Sequence, residues 1–152
     1  MELKQLIAEV IFETKYDLIK NVEDVPYKKR HNDSVLIKLN INKVLNRFNN
    51  DYKEKAITNR KSKNIISQSR IDNSKEYWIN YSKNQRWINP SNKRRSIFPD
   101  MTFYASIIYF DNKNKLDFED GRHRLIALKE LNYKNAMFEV PKNQIKLFKK
   151  FK

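Results

Sequence analysis

Residues 120–124 read Asp-Gly-Arg-His-Arg, and no other stretch gathers so many side chains capable of chemistry. Gly121 is the single glycine of the chain, where average usage of about 7% would supply roughly ten. A glycine kept in so glycine-poor a sequence is expected to need positive φ or close backbone approach. Arg122 and Arg124 flank His123, and the first amides of a helix starting here would be unpaired and electropositive. Free N–H groups, two guanidiniums and no Cβ in the way describe an anion site, with phosphate the fitting guest. The phosphate-binding candidates are therefore Gly121, Arg122 and Arg124.

Glu119 and Asp120 precede the turn. Asp120 can cap the helix, hold a divalent metal beside the phosphate or act as a base, and Asp before Gly is also an ordinary turn former. His123 can donate or accept a proton near neutrality, with a packed or capped histidine as the plain alternative. The catalytic candidates are Asp120, His123 and Glu119, and the metal candidate is Asp120. His31, the second histidine, follows Lys28-Lys29-Arg30 and reads as loop. No second His or Cys stands at a zinc-ligand spacing, so no zinc is expected.

These residues need a strand before them and a helix after. The run 101–110 (MTFYASIIYF) is β-rich, 111–114 is a hairpin turn by composition, and 115–119 is a short strand. Alternation along it puts Asp117 and Glu119 on one face. The pattern then predicts a helix over 123–131, Asn132 in the left-handed region, a strand over 136–140 and a basic helix over 141–151. Upstream, Val35, Ile37, Leu39 and Ile41 alternate as a half-buried strand, and Val44, Leu45 and Phe48 mark a helix at 43–49. Residues 2–20 carry an amphipathic helix with an acidic outer face. Residues 74–86 carry another, capped by Ser74, with Tyr77, Trp78 and Tyr81 turned mainly to the core.

The 152 residues fit one domain. The absence of Cys excludes disulfides and thiolate chemistry. No run approaches the roughly 18 apolar residues of a membrane span, and no membrane partner is expected. The net charge of +14 is unevenly spread. Residues 1–27 carry 3 basic and 6 acidic side chains, a net of −3. Residues 28–95 carry 18 and 5, a net of +13, and residues 96–152 carry 11 and 7, a net of +4. Codon bias would spread the surplus more evenly, so the middle segment reads as a polyanion-binding face. Its candidates are Arg60, Lys61, Lys63, Lys93, Arg94 and Arg95, with Trp87 as a stacking ring.

The segment LDFEDGRHRLIALKELNYKNAMFEV resembles the core of the ParB/sulfiredoxin superfamily, whose members share a strand, a [D/G]-G-x-[H/R]-R turn, a helix and a strand. The resemblance covers residues 101–141, and VLIKLNINKVLNRF is similar to the family's first strand and helix. It implies that Gly121, His123 and Arg124 hold nucleotide phosphates at a helix N-terminus, and that Asp120 matches the acid of the kinase and nuclease branches. Arg122 stands where sulfiredoxins carry their reactive Cys, which removes sulfiredoxin chemistry. The segments that would make a complete partition factor are not recognisable.

The expected fold is α+β, a single ParB/sulfiredoxin-like domain with a small mixed sheet, flanking helices and an added N-terminal helix. It divides into an amphipathic helix (1–27), a basic segment (28–95) and the core with its phosphate-binding turn (96–152). The expected function is phosphate binding directed at nucleic acid, as a small nuclease or nucleotide-hydrolysing effector or toxin. A nucleotide-dependent phosphotransferase (kinase-, ATPase- or CTPase-like) and a non-catalytic fertility-inhibition-type inhibitor are the alternatives. Mg²⁺ or Mn²⁺, and ATP or CTP, are the cofactors such a site would take. Nucleic acid and an acidic inhibitor or immunity protein are the expected partners, in the cytoplasm or acting there after delivery.

Overall fold

The structure, a computed structural model, describes residues 18–52, 66–84 and 101–152, together with the backbone of two short strands at 87–88 and 95–96. Most of the anticipated N-terminal helix, Arg60, Lys61, Lys63, Lys93, Arg94 and the side chains of Trp87 and Arg95 lie outside the described residues.

Strand β1 (Ser34–Asn40) leads directly into helix α1 (Ile41–Tyr52). Ile41 opens the helix instead of closing the strand, because Ile41, Val44, Leu45, Phe48 and Tyr52 fall on one helical stripe and are all buried. Helix α2 (Gln68–Ser82) follows. It starts six residues earlier than the sequence pattern suggests, and its cap is Ser67, not Ser74. The Ser67 hydroxyl accepts from Arg70 N at 3.5 Å, and a polar first turn hides the beginning of the helix. Trp78 is buried, while Tyr77 and Tyr81 are partly buried, and all three rings pack on Phe103 at centroid distances of 4.6–5.5 Å.

Two-residue strands β2 (Trp87–Ile88) and β3 (Arg95–Ser96) pair with each other. Strand β4 is confined to Ser106–Phe110. Among the described residues the first half of the β-rich run makes only one bridge, Lys28 to Tyr104, and no ladder. Strand β5 (Leu116–Asp120), helix α3 (Arg122–Glu130), strand β6 (Asn135–Pro141) and helix α4 (Ile145–Phe148) complete the chain. Helix α4 lies between 3₁₀ turns at Lys142–Gln144 and Lys149–Phe151. Asn132 closes α3 at φ 70°, and Asn114 turns the β4–β5 hairpin at φ 59°.

The four-stranded sheet has the order β1-β6-β4-β5. β6 is antiparallel to β1 and parallel to β4, and β4 is antiparallel to β5, so the sheet is mixed and the fold is α+β. The main core joins α1, the sheet and the C-terminal turns through Leu39, Val44, Ile108, Leu116, Phe138 and Phe148. A second core gathers Leu18, Val22, Val25, Trp78, Met101 and Phe103 where α2 meets the segment before β1. Among the described residues no helix is long and apolar enough to cross a membrane.

Candidate functional site

The end of β5 is irregular. Ile108 pairs with Phe118 and Ile107 with Asp120, which leaves Glu119 as an extra residue in a bulge. The bulge breaks the period of two, so Asp117 and Glu119 do not share an environment. Asp117 is buried and accepts from Tyr109 Oη at 3.2 Å, whereas Glu119 is exposed.

Gly121 follows at φ +90° and opens α3 with no side chain capping that terminus. A Cβ on Gly121 would meet Ser106 Cα at 2.7 Å, Arg124 Nη2 at 2.8 Å and Ser106 Oγ at 2.9 Å. Both reasons for a glycine, positive φ and close approach, therefore act at this residue. Buried Ser106 donates to the Gly121 carbonyl at 2.8 Å and ties the turn to the start of β4. Asp120 does not cap the helix. Its Oδ1 accepts the adjacent Gly121 N–H at 2.8 Å, and its Oδ2 lies 3.1 Å from Arg30 Nη2 and 3.8 Å from Arg124 Nη2.

The two arginines of the turn diverge, because residues two apart on a helix project about 200° apart. Arg122 lies over the Phe48 ring at 5.5 Å on the α1 side, near Asp117. Arg124 turns towards Ala105 and Asp120. In place of Arg122, the structure brings Arg30 and Arg70 towards Arg124. Burial is the main cause that lowers the pKa of Arg124, and the nearby Arg30 and Arg70 charges act in the same direction. Arg124 Nε is buried with no hydrogen-bond partner among the described residues.

Arg124 and Arg70 line a cleft of about 360 Å³ with Tyr27, Tyr77, Trp78, Phe103 and Tyr104, a volume within the usual range for small-molecule sites. The hydroxyl of Tyr27, another residue lining the cleft, is likewise buried without a partner among the described residues. No motif marks Arg70 in the sequence, and the start of α2 that positions it is hidden in a polar stretch.

Each turn residue able to handle protons is already engaged. Glu119 Oε2 lies 2.6 Å from His31 Nε2, and the carboxylate raises the His31 pKa. His123 Nε2 accepts the Ser67 N–H at 3.0 Å, which ties α3 to the cap of α2. Burial, then the Arg70 and Arg122 charges, lower the His123 pKa. The two histidines are thus expected to titrate on opposite sides of the ordinary value of about 6.5, His31 above and His123 below. A proton NMR titration of the ring signals checks this, with Glu119→Gln returning only His31 towards that value. Equal midpoints would dissolve both pairings. The His31 pairing stabilises the fold below the unfolded pKa and is lost as pH rises through the raised folded pKa. The His123 contribution has the opposite sign. It is present above the unfolded pKa and is lost as pH falls through the lowered folded pKa.

Arg30 and His31 are held from beneath by a residue with no motif. Glu139, in the central strand β6, is 1% exposed. Its Oε1 accepts Arg30 N–H at 2.8 Å and its Oε2 accepts His31 N–H at 3.0 Å. Ser34 Oγ lies 2.8 Å from Glu139 Oε2 and 2.7 Å from the His31 carbonyl, with one proton for the two acceptors. The segment 28–33 is thereby strapped across the sheet, and Arg30 also lies over the Tyr104 ring at 4.7 Å.

Among the described residues no three His, Cys, Asp or Glu side chains gather as a metal-ligand group. A divalent ion at Asp120 would have to displace Arg30. No protein family, curated protein or solved structure compared with the chain matches it.

Proposed function

We propose that this protein binds a nucleotide unit at the Gly121 turn, in the manner implied by its resemblance to the ParB/sulfiredoxin superfamily, and acts on nucleic acid. The phosphate would sit at the uncapped start of α3 against Arg30, Arg70 and Arg124, and the base would occupy the aromatic cleft beside them. The observation that carries this reading is Arg124, which lines that cleft and whose Nε is buried with no hydrogen-bond partner among the described residues. A desolvated guanidinium donor without an acceptor is costly unless a ligand supplies one, and a phosphate oxygen is the acceptor whose geometry it fits. The Tyr and Trp faces of the cleft suit a planar base by stacking.

Turnover, as a nuclease or nucleotide hydrolase using Mg²⁺ or Mn²⁺, would require Asp120 or Glu119 to leave Arg30 and His31. The ligand's own phosphate can compete for Arg30 and so release Asp120. Calorimetric titration with ATP and CTP is expected to give saturable binding that Arg124→Met weakens about 10- to 100-fold, the worth of one or two charge-assisted hydrogen bonds. Parallel incubation with plasmid, single-stranded DNA and RNA plus either metal tests cleavage. Equal affinities for wild type and Arg124→Met would sink the phosphate reading. Binding without cleavage would leave a nucleotide-binding or inhibitor protein.

A further inference from the structure

The C-terminal turns carry charge that the Gly121 site does not use. Residues 142–152 contain five lysines and no acidic residue. Lys146, Lys149 and Lys150 are all exposed, and their i, i+3, i+4 spacing puts them on one helical face. The opposite face holds Phe148 and Phe151 in the core against Phe110. Like charges at this spacing repel one another and weaken a helix. Here nothing offsets them from within the segment.

Neighbouring elements extend the same face. Lys150 Nζ lies 5.5 Å and Arg47 Cζ 5.2 Å from the Phe110 ring centroid. Arg47 Nη2 donates to the Asn114 carbonyl at 3.0 Å, which joins α1 to the β4–β5 hairpin, where Lys113 is exposed. Lys43 Nζ donates to the Lys152 carbonyl at 2.8 Å, which joins the start of α1 to the terminal turns. Among the described residues, the acids at this end are already engaged. Asp51 Oδ2 meets Arg47 Nε and Leu116 N–H, and Asp111 Oδ1 accepts from Lys113 N–H and Lys115 N–H.

We propose that this lysine face is a second contact for a nucleic-acid phosphate backbone, at the far end of the β4–β5 hairpin from Gly121. β5 runs between the two, and its five residues at about 3.3 Å each separate them by roughly 17 Å. That exceeds by several-fold the spacing of successive phosphates on one strand of a duplex, which advance by roughly 3.4 Å of helix axis per step. One polynucleotide can therefore touch both ends of the hairpin, whereas a free nucleotide cannot. Lysines act as point charges without fixed geometry, which suits a sequence-independent backbone contact. This deepens the reading above by making a polynucleotide, not a free nucleotide, the partner.

The test is fluorescence anisotropy on labelled duplex DNA and RNA across a salt series, for wild type and K146E/K149E/K150E, with ATP and CTP titrations in parallel. The triple variant is expected to bind at least one of the two polynucleotides roughly tenfold or more weakly near 100 mM salt. Its log–log salt slope should be shallower by about 2–3, since each lost phosphate contact removes about 0.9 on duplex DNA. K149Q/K150Q should show a smaller loss in the same direction with an unchanged melting temperature. Nucleotide affinity should not change. An unaltered slope and affinity, no polynucleotide binding by wild type, or binding to phosphatidylserine vesicles in place of nucleic acid would each overturn the proposal. If Arg124→Met leaves nucleotide binding untouched while the lysine variant still loses polynucleotide binding, the turn reading fails and this one stands.

Discussion

Replacing Glu139 by alanine is expected to destabilise the protein by about 3–5 kcal/mol, more than any other single side-chain truncation at the site. The carboxylate is 1% exposed and accepts two backbone N–H groups, from Arg30 and His31. The two N–H groups are partly buried, so each loses up to the roughly 1–3 kcal/mol of an unpaired buried donor, and Ser34 loses one of its two acceptors besides. Against a total stability of about 5–15 kcal/mol the loss is severe, and in a chain of this size it corresponds to a fall in Tm of roughly 10 °C. Urea denaturation monitored by circular dichroism measures it. Glu139→Gln should fall between, because its amide nitrogen would meet one of the two N–H donors head on. The strap that carries Arg30 loses its anchor in the alanine variant, so nucleotide affinity is expected to fall with stability. A variant as stable as wild type would mean that the 28–33 segment is held by other contacts, such as those to Phe103, Tyr104, Glu119 and Asp120.

Gly121→Ala is the second large effect, again roughly 3–5 kcal/mol. A left-handed φ costs a residue with a Cβ about 1–2 kcal/mol, and overpacking a closed site adds about 1–3 kcal/mol. The first atom the new methyl meets is Ser106 Cα at 2.7 Å, which is backbone of β4 and cannot swing aside as a side-chain tip would. Either the turn opens or β4 shifts, and in both cases the Ser106 hydroxyl loses its 2.8 Å bond to the Gly121 carbonyl. The same denaturation experiment checks this. Gly121→Asn, in a residue type that tolerates positive φ, would relieve the φ penalty and keep the clash, so the difference between the two variants separates the terms. Losses below 1 kcal/mol for both would mean that the turn is far more yielding than its packing implies.

The local sequence was most informative where one residue type has one conformational use. A lone glycine between a β-rich run and an amphipathic one announced a positive-φ turn, and Asn132 announced the end of α3. The stripe from Val44 to Phe48 marked α1, although the strand pattern before it claimed Ile41 as well. Where side chains compete less decisively, the pattern misled. Helix α2 begins at Gln68 under the Ser67 cap, hidden by a first turn of polar residues that could equally be loop. The strict alternation that put Glu119 beside Asp117 was broken by a bulge, which depends on how β4 and β5 register and leaves no local sign.

A strand–turn–helix junction around the glycine of residues 120–124 was legible in the sequence, and so was the concentration of the charge surplus in 28–95. Short-range sterics and helical periodicity act within a few residues, and so both are written locally. Which groups meet at that junction depends on how distant segments pack. Arg122 and Arg124, two residues apart in the motif, part to opposite sides of α3, while Arg30 and Arg70, far away in sequence, come towards Arg124. Glu139 became the anchor of the site because burial in a central strand obliges a carboxylate to find donors, and the nearest were the amides of the strap carrying Arg30 and His31. Such pairings arise from the sheet order β1-β6-β4-β5, which brings residues more than 100 positions apart into hydrogen-bond contact.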